Sequence, residues 1–584
     1  MKRFKKKVLA LLLLVSLLMS MVGCSNTTNM EEGQTNENVS TTEAAEASKK
    51  PITLSIFGAP FATNFTSGKQ DDPIAKAIEA ATGITIDIDA QPDQTKWQTM
   101  LATGDLPDII MIAQGSSAID DVKPLIEGGL IIPLDDLLEQ YGSDIKQSSS
   151  KMLEYSKKYV SNQTDELYFL LGFQEESPKQ FIWEVAPNVR WDYYAELGYP
   201  EINSAEDWLN VVEEMVNAHP TNEDGKKVYG FSPWFDWGLW SFNVAGDIIH
   251  GLEGKGINAG FLGDTDMVTE KPINQGILSD DSSIIKGIRF FYQANRRNLI
   301  DPDAFIQKYD NALEKYAANR VMSCIVNWVY QTPNALFQAE GKTTSGYLPL
   351  PVNSSAYYMD SVGQFGQISR GYAISTNCEE PERAMELLNY IFSYEGSRTL
   401  LSGIAGQDYQ EIDGKLVLNQ DIIAAQQSDS NFSLKTGIQK YYNYVGLGSS
   451  AIDPKYNQPV NLFMTPEAFQ TQLNGLTEDY CNHYDVSYPA EVMYDRLTTM
   501  YQDASLGGFA PATPDDLKEI EGNAELYLNN EVMRLVLAQD DAEFDAVLEE
   551  IRAHLIKLGV EKVIAFKTQA ADEALAKRAE LIGE

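Results

Sequence analysis

The stretch that most limits the fold is Leu101-Ala-Thr-Gly-Asp-Leu-Pro-Asp-Ile-Ile-Met-Ile112. A helix-like run through Trp97 and Leu101 leads into it. Gly104 can take the left-handed conformation that ends a helix, and Pro107 prevents the helix from resuming. Asp108 then opens onto four apolar residues, Ile109 to Ile112, of the kind buried in a parallel sheet. Upstream, Ile52-Thr-Leu-Ser-Ile-Phe57 reads as a strand, and Asp72-Pro73 opens a helix through Ile74, Ile78 and Ala81. Ile84, Ile86 and Ile88 then alternate with Thr85 and Asp87 at strand period. Strand, helix, strand, helix, strand implies a parallel sheet with right-handed crossovers. The polar loop Gln114-Gly-Ser-Ser117 leaves the third strand at its C-terminal end, where open α/β sheets hold ligands. Gln114 and Ser116 are therefore candidate binding residues.

The N-terminus predicts export. Met1 to Lys7 is basic, and Val8 to Leu18 is an apolar core too short to read as a spanning helix. Met21-Val-Gly-Cys24 resembles a bacterial lipobox. It implies a signal peptide over 1–23, diacylation of the Cys24 thiol and attachment to the membrane by lipid chains, two or more of which anchor stably. Residues 24–49 carry almost no bulky apolar side chain and read as a flexible linker. The three remaining cysteines, Cys324, Cys378 and Cys481, are too scattered for a disulfide framework or a zinc site, and are expected to be buried apolar residues. A hydrophobic fraction of 43% supports sizeable cores, and a net charge of −39 argues against nucleic acid or an anionic membrane surface as partner.

No catalytic motif emerges. Gly341-Lys342-Thr343 resembles the end of a phosphate-binding loop, but Leu336 stands where its first glycine should be. His219, His250, His483 and His554 are far apart, and neither a His-Glu-x-x-His motif nor a Gly-x-Ser-x-Gly elbow occurs. No cofactor and no metal are expected. With 84 acidic residues, a glycosidase-type carboxylate pair cannot be argued from sequence. What stands out is aromatic: Pro233-Trp-Phe-Asp-Trp-Gly-Leu-Trp240 carries more indole than a simple core strand needs. A Trp face can stack on the C–H face of a sugar while Asp, Asn, Gln or Arg hydrogen-bonds its hydroxyls. Trp234, Asp236, Trp237 and Trp240 are candidates on that ground, with lobe-core packing as the alternative for Trp234 and Trp240.

Several segments, in order and spacing, resemble the family-1 extracellular solute-binding proteins of ABC importers. They are the Gly-Asp-Leu-Pro-Asp-Ile-Ile stretch, Gly129-Leu-Ile-Ile-Pro-Leu-Asp-Asp-Leu-Leu138, Asn188-Val-Arg-Trp-Asp-Tyr-Tyr194, Tyr316 to Tyr330, and Ser369-Arg-Gly-Tyr-Ala-Ile-Ser375. Gly403 to Tyr409 and Asp413-Gly-Lys415 resemble the turn region of the larger lipoprotein members from Gram-positive bacteria. The resemblance implies an α/β fold of the periplasmic-binding-protein type, with two discontinuous lobes, a hinge and a ligand cleft between them. The lobes are expected at 50–165 with 366–402, and at 166–365 with 403–584. It adds Asn327, Trp328 and Arg370 to the candidates, Trp328 at the position of the family's ligand-stacking tryptophan. Trp208, on a helix capped by Ser204, is expected in the core. Some relatives carry an EF-hand-like calcium loop. The equivalent here, Pro220-Thr-Asn-Glu-Asp-Gly225, has Pro220 at loop position one and Phe231 at position twelve, so no calcium is expected.

The implied protein is a monomeric, lipid-anchored binder at the outer face of the cytoplasmic membrane. It would capture an oligosaccharide or related carbohydrate by hinge closure and deliver it to ABC permease subunits served by a separate ATPase. The alternatives are a lipid-anchored polysaccharide-degrading enzyme, or the same fold used as a peptide binder or sensor.

Overall fold

The computed structural model describes residues 50–58, 66–90, 94–112, 119–175, 180–353, 361–362, 365–494, 502–503 and 506–583. Cys24, Gln114 and Ser116 lie outside them. The chain is α/β. Its first sheet runs in the order Gly68–Lys69, Ile84–Asp89, Ile52–Phe57, Ile109–Met111, Gly371–Ile374, Leu170–Leu171. Ile52–Phe57 is parallel to both neighbours, with Ile52 opposite Ile84 and Ile56 opposite Ile109. The three strands read from the local pattern are parallel as expected, and the sheet is mixed because Gly68–Lys69 and Gly371–Ile374 join it antiparallel, the latter from far along the chain and beyond the reach of any local periodicity.

The opening motif works by hydrogen bonding as well as by burial. Gly104 has φ 71° and its N–H closes the helix Gln94–Thr103 onto the Met100 carbonyl at 2.9 Å. Asp108 Oδ2 then accepts from the Ser55 amide at 2.8 Å and the Ser55 hydroxyl at 2.6 Å. The Asp108 carbonyl also accepts from the Ser375 amide at 3.0 Å. One carboxylate and its own backbone thus fasten three strands together, while Ile109, Ile110 and Met111 are fully buried.

A second sheet has Val185–Arg190 at its centre, antiparallel to both Ser323–Val326 and Tyr347–Pro349. Arg190 is buried against the Tyr193 ring, with its guanidinium 4.2 Å from the ring centroid, and pairs with Asp192 at 2.7 Å. Ser204 caps the helix Ala205–Ala218, and Trp208 is fully buried with its indole N–H donating to Ser323 Oγ at 2.9 Å. Helices Trp240–Leu252 and Ser283–Arg296 cross at backbone contact. A Cβ on Gly246 would stand 1.9 Å from the Ser283 carbonyl oxygen, and one on Gly287 would stand 1.8 Å from that of Phe242. Only glycine permits that approach.

Buried apolar side chains fall into two cores. The first gathers Leu54 through Phe173 and Phe365 through Phe463, with Phe509 and Ala574; the second gathers Trp183 through Val352, Leu476 through Met493 and Leu517 through Ile564. The chain passes between them six times among the described residues. Tyr409, Leu416, Phe432 and Val460, expected with the second lobe, pack in the first core. The ties are polar as well as apolar: Arg398 pairs with Asp453, and the Leu462 amide donates to Ser402 Oγ at 2.8 Å. In the helix Asp541–Leu558, Phe544, Val547, Leu548, Ile551 and Leu555 form a buried stripe. Cys324 and Cys481 are buried as free thiols, whereas Cys378 is half-exposed. Among the described residues no helix is long and apolar enough to cross a membrane.

Candidate functional site

A cavity of about 760 Å³ opens between the two cores, lined from one side by Trp328, Tyr309 and Asn327 and from the other by Phe173, Arg370 and Tyr442. The second-core wall is set by the way the strand Ser323–Val326 ends. Beyond Val326 the chain turns into the short 3-10 helix Asn327–Tyr330. The Asn327 amide donates to the Glu184 carbonyl at 2.9 Å, and Tyr330, buried, donates its hydroxyl to Asn188 Oδ1 at 2.8 Å. Anchored at both ends, the turn holds Asn327 and Trp328 half-buried at the cavity wall.

Behind Trp328 stands a stack of rings. Trp240 lies 5.8 Å from Trp328, Trp234 stacks on Trp240 at 5.5 Å, and Tyr309 meets Trp234 edge-on at 4.9 Å. Ring pairs at such separations gain over ordinary burial, and their mutual contact limits how far any one can tilt. Trp328 is thereby a backed surface that faces the cavity.

The first-core wall depends on an uncommon backbone. Phe173 has φ 62°, in the left-handed region that side chains other than glycine's rarely adopt. It is held there by packing: the Arg370 guanidinium lies 3.7 Å from the centre of its ring, and Tyr442 meets the same ring edge-on at 4.9 Å. Arg370 also donates to Asn443 Oδ1 at 3.2 Å. Tyr442 is 41% exposed and presents the reachable aromatic surface of this wall.

Three carboxyls, Glu175, Glu184 and Asp429, line the described cavity with Arg370, and two of them are shifted by burial. Burial raises Glu184 to about 7, against a lowering hydrogen bond from Gln180. Burial also raises Glu175, although Ser450 donates to Glu175 Oε2 through its amide at 3.2 Å and its hydroxyl at 2.9 Å. Around them the lining is dominated by neutral amides, among them Gln331, Gln367, Gln439 and Asn461. A wall of aromatic faces and amides can hold a ligand with apolar C–H faces and hydroxyl edges.

Of the sequence candidates, Asn327, Trp328 and Arg370 come together at this cavity. Trp234 is 1% exposed and Trp240 is half-buried; both back Trp328 and neither is part of the described cavity wall. Trp237 is 38% exposed and does not line the cavity, but its ring packs against Tyr309, Trp234 and Trp240 at 4.8, 5.6 and 5.3 Å, and Asp236 is exposed beside it. Sequence reasoning passed over Tyr309, Tyr442, Phe173, Glu175 and Glu184. Only the run Tyr441-Tyr-Asn-Tyr444 offered a signal comparable to the tryptophan stretch. In the 220–231 segment, Asn222 Oδ1 accepts from the Asp224 and Lys226 amides at 3.1 and 2.9 Å, and Thr221 bridges Lys227. A side-chain amide thus organises the turn there. Among the described residues no cluster of His, Cys, Asp or Glu has the makings of a metal site.

The family of bacterial extracellular solute-binding proteins matches residues 73–406, more than half of the chain, and the chain belongs to it. The fructooligosaccharide ABC transporter substrate-binding protein FusA of Streptococcus pneumoniae is 24% identical over 250 residues, an alignment that spans 41% of this chain and 44% of that relative. Solved structures extend the likeness over nearly the whole chain. The alginate-binding protein AlgQ2 without calcium ion superposes with a TM-score of 0.58 at 17% identity, covering 90% of this chain and 98% of that one. S. pneumoniae FusA in complex with kestose gives 0.55 at 15% identity, over 90% of this chain and 100% of that one. The N-glycan transport solute-binding protein NgtS of S. pneumoniae gives 0.51 at 13%, over 91% and 100%. At these identities the likeness establishes the fold, which is the two-lobed periplasmic-binding type.

Proposed function

We propose that this member of the extracellular solute-binding family is a lipid-anchored receptor that captures an oligosaccharide in the cavity between its two cores and delivers it to an ABC permease. The observation that carries the reading is the cavity itself: a backed Trp328 and Tyr309 on one wall, Tyr442 over Phe173 on the other, and amides between them. A ligand that touches both walls only when they approach stabilises the closed form, which is the requirement for hinge closure. The chain crossings between the cores are the natural hinge. Cys24 is the proposed lipidation site. The named sugars of FusA and NgtS point in the same direction for the ligand.

Binding residues under this proposal are Trp328, Asn327, Tyr309 and Tyr442, with Arg370 holding Phe173 in the first-core wall and Trp234 and Trp240 supporting Trp328 from behind. Gln114 and Ser116 remain proposed contributions from the first lobe. A second reading, a polysaccharide-degrading enzyme, draws on Glu175 and Glu184, since a buried carboxyl near 7 suits a general acid. One experiment separates them: thermal unfolding against neutral and acidic oligosaccharides, monosaccharides and peptides, followed by recovery of each ligand. Saturation at about 100 times Kd adds about 2.7 kcal/mol of stability. A shift with intact glycan supports the receptor. A shift with cleaved glycan replaces it by the enzyme, and a response to peptides alone refutes the carbohydrate reading.

A further inference from the structure

We infer that the occupant of the cavity is an uncharged oligosaccharide, its units bearing hydroxyl or acetamido groups and no carboxylate, sulfate or phosphate. The inference rests on the carbohydrate reading above and narrows it. Its first ground is the lining. Twelve of the described lining residues are Asn or Gln, from Gln180 to Asn474; Asn334, Asn461, Gln472 and Asn474 bond the protein's own backbone, and Gln331, Gln367, Gln426 and Gln439 are among the rest. A side-chain amide offers donors and an acceptor together, and a hydroxyl does the same, so the two satisfy one another in either sense. An ionised carboxylate or sulfate only accepts, and would leave amide carbonyls facing lone pairs.

The second ground is charge. Among the described lining residues, Glu175, Glu184 and Asp429 are acidic, Arg370 is the single cation, and there is no lysine. Arg370 is 5% exposed, lies against the Phe173 ring and donates to Asn443, so it is built into the wall. A site for uronates or sulfated sugars needs cations that reach the ligand; bidentate arginine and lysine do that work elsewhere. Burial already holds both Glu175 and Glu184 above the ordinary carboxylate range, so the surroundings supply too little positive charge to compensate them. A ligand anion within ~7 Å of the ionised Glu184 carboxylate would be repelled strongly enough to weaken binding about tenfold or more.

The test uses matched ligands and the full chain. Calorimetric titration at pH 8, where Glu184 is ionised, compares xylotetraose with its glucuronate-substituted form, lacto-N-tetraose with its sialylated form, and N-acetylchitotetraose with heparin and alginate tetrasaccharides. The expected result is that a neutral glycan binds at least about tenfold more tightly than its acidic counterpart. Raising salt from about 0.02 to about 0.5 M should shrink the ratio, because screening weakens the repulsion. Glu184→Gln should shrink it as well; the salt series supplies the same reading should that variant fold poorly. An acidic glycan that binds as tightly as its neutral partner, or more tightly, overturns the inference and leaves the carbohydrate reading standing. Silence of every glycan, with a peptide raising the melting temperature, overturns both.

Discussion

Substituting Gly287 by alanine tests the packing that positions the tryptophan wall. The added Cβ would meet the Phe242 carbonyl oxygen at 1.8 Å and its carbon at 2.7 Å, where ordinary contact begins at 3.4 Å. Both atoms belong to helix backbone, so no rotamer change relieves the overlap. The helices Trp240–Leu252 and Ser283–Arg296 must separate by ~1.5 Å, and each is buried along most of its length. Overpacking of this kind costs about 1–3 kcal/mol and at times more, against a helix-propensity gain near 1 kcal/mol. The expected net is destabilisation by up to about 2 kcal/mol, and more where a backbone overlap this deep exceeds the usual overpacking cost. Gly522 provides the control: it sits in the helix Asp515–Val536, is exposed, and has nothing within 4 Å of its would-be Cβ. Gly522→Ala keeps the propensity term alone and should stabilise by about 0.5–1 kcal/mol. Urea or thermal unfolding of the full chain reads both. A two-core protein need not unfold in two states, so the opposite signs of the two midpoint shifts are the observable. Gly287→Ala at or above the wild-type midpoint would refute the close-crossing argument.

Three further expectations follow from individual side chains. Trp328→Ala should weaken binding of a responding oligosaccharide by about 1.5–3 kcal/mol, measured by calorimetry, with little change in the unliganded melting temperature because the ring is half-exposed; unchanged affinity would remove its role. Asp72 caps the helix Pro73–Thr82 at Ala75 and accepts from Lys440 at 2.7 Å and from the Tyr441 hydroxyl. Asp72→Asn, which takes the carboxylate away from the buried Lys440, should cost about 3–5 kcal/mol. Burial raises the Asp72 carboxyl, but the hydrogen bonds from Lys440, Tyr441 and Ala75 outweigh it and hold it below its usual range. Its contribution is therefore present above the unfolded carboxylate range and lost as pH falls through the folded value. An acid-unfolding curve unmoved by Asp72→Asn would contradict this. Glu184 has the opposite sign: with its folded value raised to about 7, it favours folding below the unfolded range near 4.3 and withdraws that contribution as pH climbs to 7. Stability of the unliganded protein should fall over that window, and Glu184→Gln should flatten the fall.

The opening unit of the fold was legible because its determinants are local. Gly104 and Pro107 break the helix, Ile109 to Met111 can only be buried, and the Ile84–Ile88 alternation assigns two faces; no distant residue is needed to read these. The cap at Ser204 and the buried Trp208 were legible for the same reason. Family resemblance brought Asn327, Trp328 and Arg370 to one cavity, which no periodicity would have done. What only the tertiary structure decided is which surfaces end up facing that cavity. Trp234 and Trp240 share a stretch with Trp237 and have the same chemistry. The first two are drawn behind Trp328 by ring stacking, while the third is left partly exposed. The antiparallel strand Gly371–Ile374, the packing of Tyr409 to Val460 in the first core, and the meeting of Phe173 with Arg370 and Tyr442 all depend on contacts between residues nearly two hundred or more positions apart. So does the charge state of Glu184. A sequence states that a carboxyl is present, but the desolvation that lifts it is a property of everything that surrounds it in the folded chain.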